Sequence, residues 1–150
     1  MKAAVWLRVV SALAFVQFCA HTVRFITYAP AHGPDEVAVV QAMKSHYFLF
    51  AGAPRSYWDF YFGYGLLAAF SCLVEAVLFW LLAGIARSSV ALARPIVVLF
   101  LLANIAHATL TWTYFFPLPM YFDLAIAILL GVALITAFRA APGEPAVARS

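Results

Sequence analysis

The chain has 150 residues, 67% of them hydrophobic and 10% charged, with a net charge of +3 and a mean hydropathy of +0.98. This excludes an ordinary soluble domain and suits one membrane domain of a few helices. Lys and Arg are scattered, which excludes a basic nucleic-acid surface.

The first apolar stretch predicts a helix over about residues 3–28. Lys2, Arg8 and Ala29-Pro30-Ala31 resemble parts of a signal peptide, but the apolar region is too long for one, and His21 and Arg24 interrupt its end. It reads as a retained transmembrane helix. Cys19 within it, like Cys72 later, reads as a small core residue.

Pro30, Gly33 and Pro34 break the chain. Asp35 and Glu36 then sit where a helix dipole favours negative charge. A helix too short to span is expected over about 34–50, with Val39, Val40, Met43, Tyr47 and Phe50 as its apolar face. That pattern suits an interfacial helix.

The second spanning helix is expected over about 57–84, the third over about 95–116 and the fourth over about 118–138. Pro117 and Pro119 force the last turn, and the tail 139–150 reads as disordered. The fold class is therefore all-α, a four-transmembrane-helix bundle over 1–138 with a short interfacial helix in its first extracytoplasmic loop. Lys2, Arg8, Arg87, Arg94, Arg139 and Arg149 fall on one side, against Arg24, Lys44 and Arg55 on the other. The positive-inside rule then puts both termini in the cytoplasm, with the protein in the inner (plasma) membrane.

Polar residues interrupt these helices in a pattern. Tyr57, Tyr61, Tyr64, Ser71 and Glu75 fall on one face of the second helix at 3.6 residues per turn. Gln17, His21, Arg24 and Tyr28 share a face of the first, and Asn104, His107, Thr111 and Tyr114 a side of the third. Asp123 lies about one turn inside the fourth. Facing lipid, these groups would be stranded. Turned inward, they form a polar cavity open to the outside and floored near Gln17, Asn104, Ser71 and Glu75. Individually each has a plainer role: the aromatics as interfacial anchors, Arg24 as a snorkelling cation, Asn104, Thr111 and Ser71 as interhelical hydrogen-bond groups. An intramembrane ionisable group marks a functional site by default, and Glu75, His21, His107 and Asp123 make four.

The ligand-binding set expected from these stripes is Gln17, His21, Arg24, Tyr61, Tyr64, Ser71, Glu75, Asn104, His107 and Asp123, with Arg24 pairing to Asp123. The expected ligand is a small amphipathic or lipophilic molecule. Glu75 or Asp59 with a histidine would support acid–base chemistry on it, though no motif fixes a reaction. An accessory subunit of a larger membrane complex is the alternative. A third reading has His21 and His107, at similar depth, holding haem or a metal ion, but no motif supports it. No metal site is expected. Expected partners are membrane lipid and the small ligand, with a homo-oligomer or a larger complex left open and no nucleic acid.

The run Arg55-Ser56-Tyr57-Trp58-Asp59-Phe60-Tyr61-Phe62-Gly63-Tyr64-Gly65-Leu66 resembles a segment of an uncharacterised group of small four-helix bacterial membrane proteins. The resemblance covers about the first two helices and implies a fold but no activity. The general plan is also similar to the sterol-isomerase and sigma-2-receptor type, which holds amphipathic amines or sterols in a carboxylate-bearing bundle. The residue motifs of that type are not found here, so this is an analogy of architecture alone.

Overall fold

The computed structural model describes residues 2–139. Their order is α1 (Lys2–Ile26), α2 (Pro34–Ser45), β1 (Tyr47–Phe50), β2 (Ala53–Ser56), α3 (Tyr57–Ser88), α4 (Val90–Tyr114) and α5 (Pro117–Arg139). Among the described residues, α1, α3, α4 and α5 are long and apolar enough to cross a membrane. The expected disordered tail lies outside the described residues from Ala140 onward, and Arg139 still belongs to α5.

The fold divides into two compact units. The first comprises residues up to Phe15 together with Val74 onward, and the second comprises Val16–Leu73.

The first unit has a core of branched and aromatic side chains, including Leu7, Val10, Phe79, Val97, Ile126 and Leu130, interleaved with buried alanines. Small residues let apolar helices approach closely, which is the main source of packing energy when lipid is the solvent. Phe79 meets Phe100 edge-to-face, with ring centroids 4.9 Å apart. Buried Ser11 on α1 donates its hydroxyl to the Ala76 carbonyl of α3 at 2.6 Å, tying two helices by a group that lipid could not satisfy. A gap of about 10 Å³ lined by Leu7, Val90, Arg94, Val97 and Leu134 has room for at most one water and touches none of the expected site residues.

Helix α4 begins at Val90 rather than near Pro95. Ser89 caps it, accepting from the Leu92 N–H at 3.4 Å, so Pro95 lies inside the helix. Proline there removes one backbone donor, and the cap upstream supplies the start. Only Phe115 and Phe116 separate α4 from α5, whose first residue is Pro117, a helix-compatible position.

The second unit corrects the expected helix over 34–50, which stops at Ser45. His46 is extended, and Tyr47–Phe50 pairs antiparallel with Ala53–Ser56. The two-residue turn between them has Ala51 at φ 47° and Gly52 at φ 85°. Both are positive, as in the type I′ turns that suit twisted hairpins. Tyr47-Phe48-Leu49-Phe50 favours a strand over a helix once that turn is available. Pro54, with no N–H to donate, is tolerated because a two-stranded ribbon is all edge. Ser56 then opens α3: its N–H and hydroxyl donate to Asp59 Oδ2, and the Asp59 N–H returns a bond to Ser56 Oγ. This reciprocal cap engages the Asp59 carboxylate at the helix start.

A candidate polar site in the first unit

The chemistry of the first unit collects around a buried carboxylate. Asp123 on α5 is only 2% exposed. Its Oδ1 lies 3.0 Å from His107 Nδ1, and its Oδ2 accepts the Thr111 hydroxyl at 3.0 Å. His107 and Thr111 are one turn apart on α4, so helical spacing alone presents both to one acid. A carboxylate acceptor requires the proton on His107 Nδ1, which leaves Nε2 as the outward nitrogen. The imidazole is open, with 60% of the side chain exposed, while its anchor is closed off. Glu75 on α3 is half-buried and within electrostatic reach of both His107 and Asp123. Three ionisable groups from three apolar helices are thus gathered in one neighbourhood. Asn104 is buried on α4 but donates to its own Phe100 carbonyl at 2.9 Å, as a helix-stabilising group does.

An imidazole oriented through Nδ1 by a buried carboxylate accepts a hydrogen bond at Nε2, or donates one when protonated. It can also move a proton between Nε2 and a bound molecule. No group of three ligand-type side chains among the described residues is arranged to hold a metal ion.

The other expected site residues lie in the second unit. His21 donates Nε2–H to the Gly65 carbonyl at 3.1 Å and stacks on Phe25 at 4.8 Å between centroids. Phe25 in turn contacts Tyr61, which also meets Tyr28 and Trp58. Arg24 holds its guanidinium 5.1 Å from the Tyr28 ring. The sequence paired Arg24 with Asp123; Asp123 bonds to His107 and Thr111 of α4, and the Arg24 guanidinium lies over an aromatic face. Gln17 is half-buried, Tyr64 is exposed, and exposed Ser71 donates to its own Leu67 carbonyl at 3.0 Å. The two histidines of the haem reading fall in different units, each with one ring nitrogen engaged.

One well-formed polar constellation lies outside the helical stripes. Glu36 Oε2 accepts the Ala31 and His32 N–H groups, each at 2.7 Å, and lies 3.0 Å from His32 Nδ1. Its Oε1 accepts the Tyr28 hydroxyl at 2.8 Å. The visible signal was an acid in the third position of a helix following Gly33-Pro34, the place from which a side chain reaches back to upstream amides. The His32 N–H and the Tyr28 hydroxyl favour the ionised form and hold the Glu36 carboxyl down to about 2, against an ordinary 4.5. The same bond pushes the Tyr28 hydroxyl above its usual range. Because the folded value is depressed, the stabilising contribution is complete above about 4.5 and is lost as pH falls toward about 2. Thermal melts from pH 7 to pH 2 are expected to show that loss in the wild type; Glu36→Gln should start lower at pH 7 and vary less across the window. Parallel curves for the two proteins would mean that Glu36 does not latch this loop.

Comparison with protein-family models, with curated proteins and with solved structures found no match for this chain.

Proposed function

We propose that this is an inner-membrane protein, with both termini in the cytoplasm and α2 lying along the outer interface, which binds a small amphipathic or lipophilic ligand at His107. Asp123 and Thr111 set the imidazole, and Glu75 supplies a second polar contact in an otherwise apolar wall. One observation carries this reading: His107 is open although the carboxylate that orients it is buried. Keeping a buried acid among membrane helices is costly, and a chain that only needed packing would place an apolar side chain there. A polar head on a lipophilic molecule satisfies Nε2, and its apolar remainder lies on the surrounding Leu and Ile surface. If the ligand is turned over, His107 is the group that moves the proton.

The test is mass spectrometry of organic extracts from detergent-purified protein. The wild type should carry a discrete small molecule at near-stoichiometric yield. His107→Ala should carry about tenfold less, the equivalent of one lost hydrogen bond of roughly 1.4 kcal/mol. The variant should keep its helical circular dichroism, since the imidazole is mostly exposed. A wild-type extract holding only bulk phospholipid, or equal yields from both proteins, overturns the proposal.

A further inference from the structure

The hairpin of the second unit presents an apolar face for which the protein core has no use. Strand alternation places Phe48 and Phe50 on one side and Tyr47 and Leu49 on the other. The first side is occupied by the start of α3: the Phe48 and Tyr57 centroids are 5.4 Å apart, and those of Phe50 and Phe60 are 4.8 Å apart. On the second side only Ser56, next to the helix start, is buried. Leu49 is 77% exposed and Tyr47 64%, with exposed Pro54 opposite Leu49 in the register.

The direction of the hairpin says what meets that face. Ser56 runs without a linker into Tyr57, the first residue of a helix long and apolar enough to cross a membrane. Phe50, at the tip end, packs on Phe60 rather than on the helix start alone, and Phe60 is one turn nearer the apolar middle of α3. The tip therefore folds back along the spanning helix. Tyr57, Trp58 and Tyr61 beside it are residues of the kind that collect at a membrane boundary. Lys44 lies 4.3 Å from the Trp58 ring, and exposed Arg55 stands across the ladder from Phe48. Both cations suit anionic headgroups at that level. The ribbon cannot go deeper, because its outer strand edges carry backbone groups that hydrocarbon would leave unsatisfied.

We infer that the Tyr47–Ser56 hairpin is a lipid-contacting element that seats Tyr47, Leu49 and Pro54 at the headgroup–acyl boundary of an anionic bilayer. The inference rests on the membrane reading but not on the His107 ligand.

The test uses the full chain with Cys19→Ala, Cys72→Ala and Leu49→Cys, labelled with the fluorophore NBD. It is reconstituted into phosphatidylcholine–phosphatidylglycerol vesicles containing doxyl lipids. Emission should be blue-shifted, strongly quenched by a doxyl group near the headgroup, and insensitive to aqueous iodide. Water-like emission quenched by iodide overturns the inference. So does a label protected from both quenchers, which means that a protein surface covers Leu49. Flotation of the same sample reports membrane integration separately, so a failure of the hairpin proposal is distinct from a failure of the membrane reading.

Discussion

Replacing Asp123 with alanine is expected to destabilise the protein by about 2–4 kcal/mol and, on the proposed function, to lower the yield of the molecule bound at His107. Two hydrogen bonds to the carboxylate disappear together, those from His107 Nδ1 and the Thr111 hydroxyl. Each is worth about 1–2 kcal/mol among membrane helices, and a small void adds to the cost. Thr111 has a fallback, because its hydroxyl also lies 3.0 Å from the His107 and Ala108 carbonyls. His107 has no such alternative on its own helix among the bonds described, so the imidazole loses its orientation. Asp123→Asn is expected to behave differently. The amide oxygen can still accept from His107, and the amide nitrogen can donate to Thr111, while the desolvation cost of a buried charge is removed. Its stability should stay within about 1 kcal/mol of the wild type. The double change His107→Ala plus Asp123→Ala should cost less than the two single changes added, because the pair is lost only once. Unfolding in mixed micelles measures the wild type and the four variants. A stable Asp123→Ala variant, or strict additivity in the cycle, would show that the carboxylate does not position the imidazole.

The part of this arrangement legible in the sequence is the part set by helical geometry. His107 and Thr111 share a face because they are four residues apart, and an acid one turn into the next helix lies at a matching level across a tight connection. The choice of partner was not legible. Depth pointed to Arg24 as the partner of Asp123, but depth says nothing of the rotation of each helix about its own axis, which is what brings His107 to the acid. The spanning helices followed from long apolar runs ended by Pro, Gly and Arg, but the start of α4 did not. A single cap at Ser89 moved it past a proline that appeared to mark the boundary. The hairpin was hidden for a different reason. Four residues, Tyr47–Phe50, are too few to separate a period of 2 from one of 3.6, and Ala51-Gly52 lacks the Asn or Asp that usually announces such a turn. Glu36 was visible as an acid favoured by a helix dipole, yet its four bonds depend on how the Ala29–Gly33 loop doubles back.

Gly65→Ala is expected to destabilise the second unit by about 1–3 kcal/mol, against the direction that helix propensity alone requires. Gly65 lies within α3, where alanine is intrinsically better by about 1 kcal/mol, so an unhindered position would become more stable. It is not unhindered, because a Cβ built there overlaps the ring of Phe25. That ring has little freedom to withdraw. His21 stacks on it at 4.8 Å, and Tyr61 and Phe62 stand 5.7 and 6.2 Å away. The Gly65 carbonyl is also the acceptor for His21 Nε2, so pushing the ring aside strains the hydrogen bond beside it. The contact thus needs both partners: a residue without a side chain on α3 and a flat one on α1. Phe25→Ala removes the obstruction as well as its own packing. In that background Gly65→Ala should change sign and recover up to about 1 kcal/mol. Reversal of sign between the two backgrounds, read from unfolding midpoints, is the expected result. A stabilising Gly65→Ala in the wild-type background would mean that the Phe25 ring does not rest on this backbone.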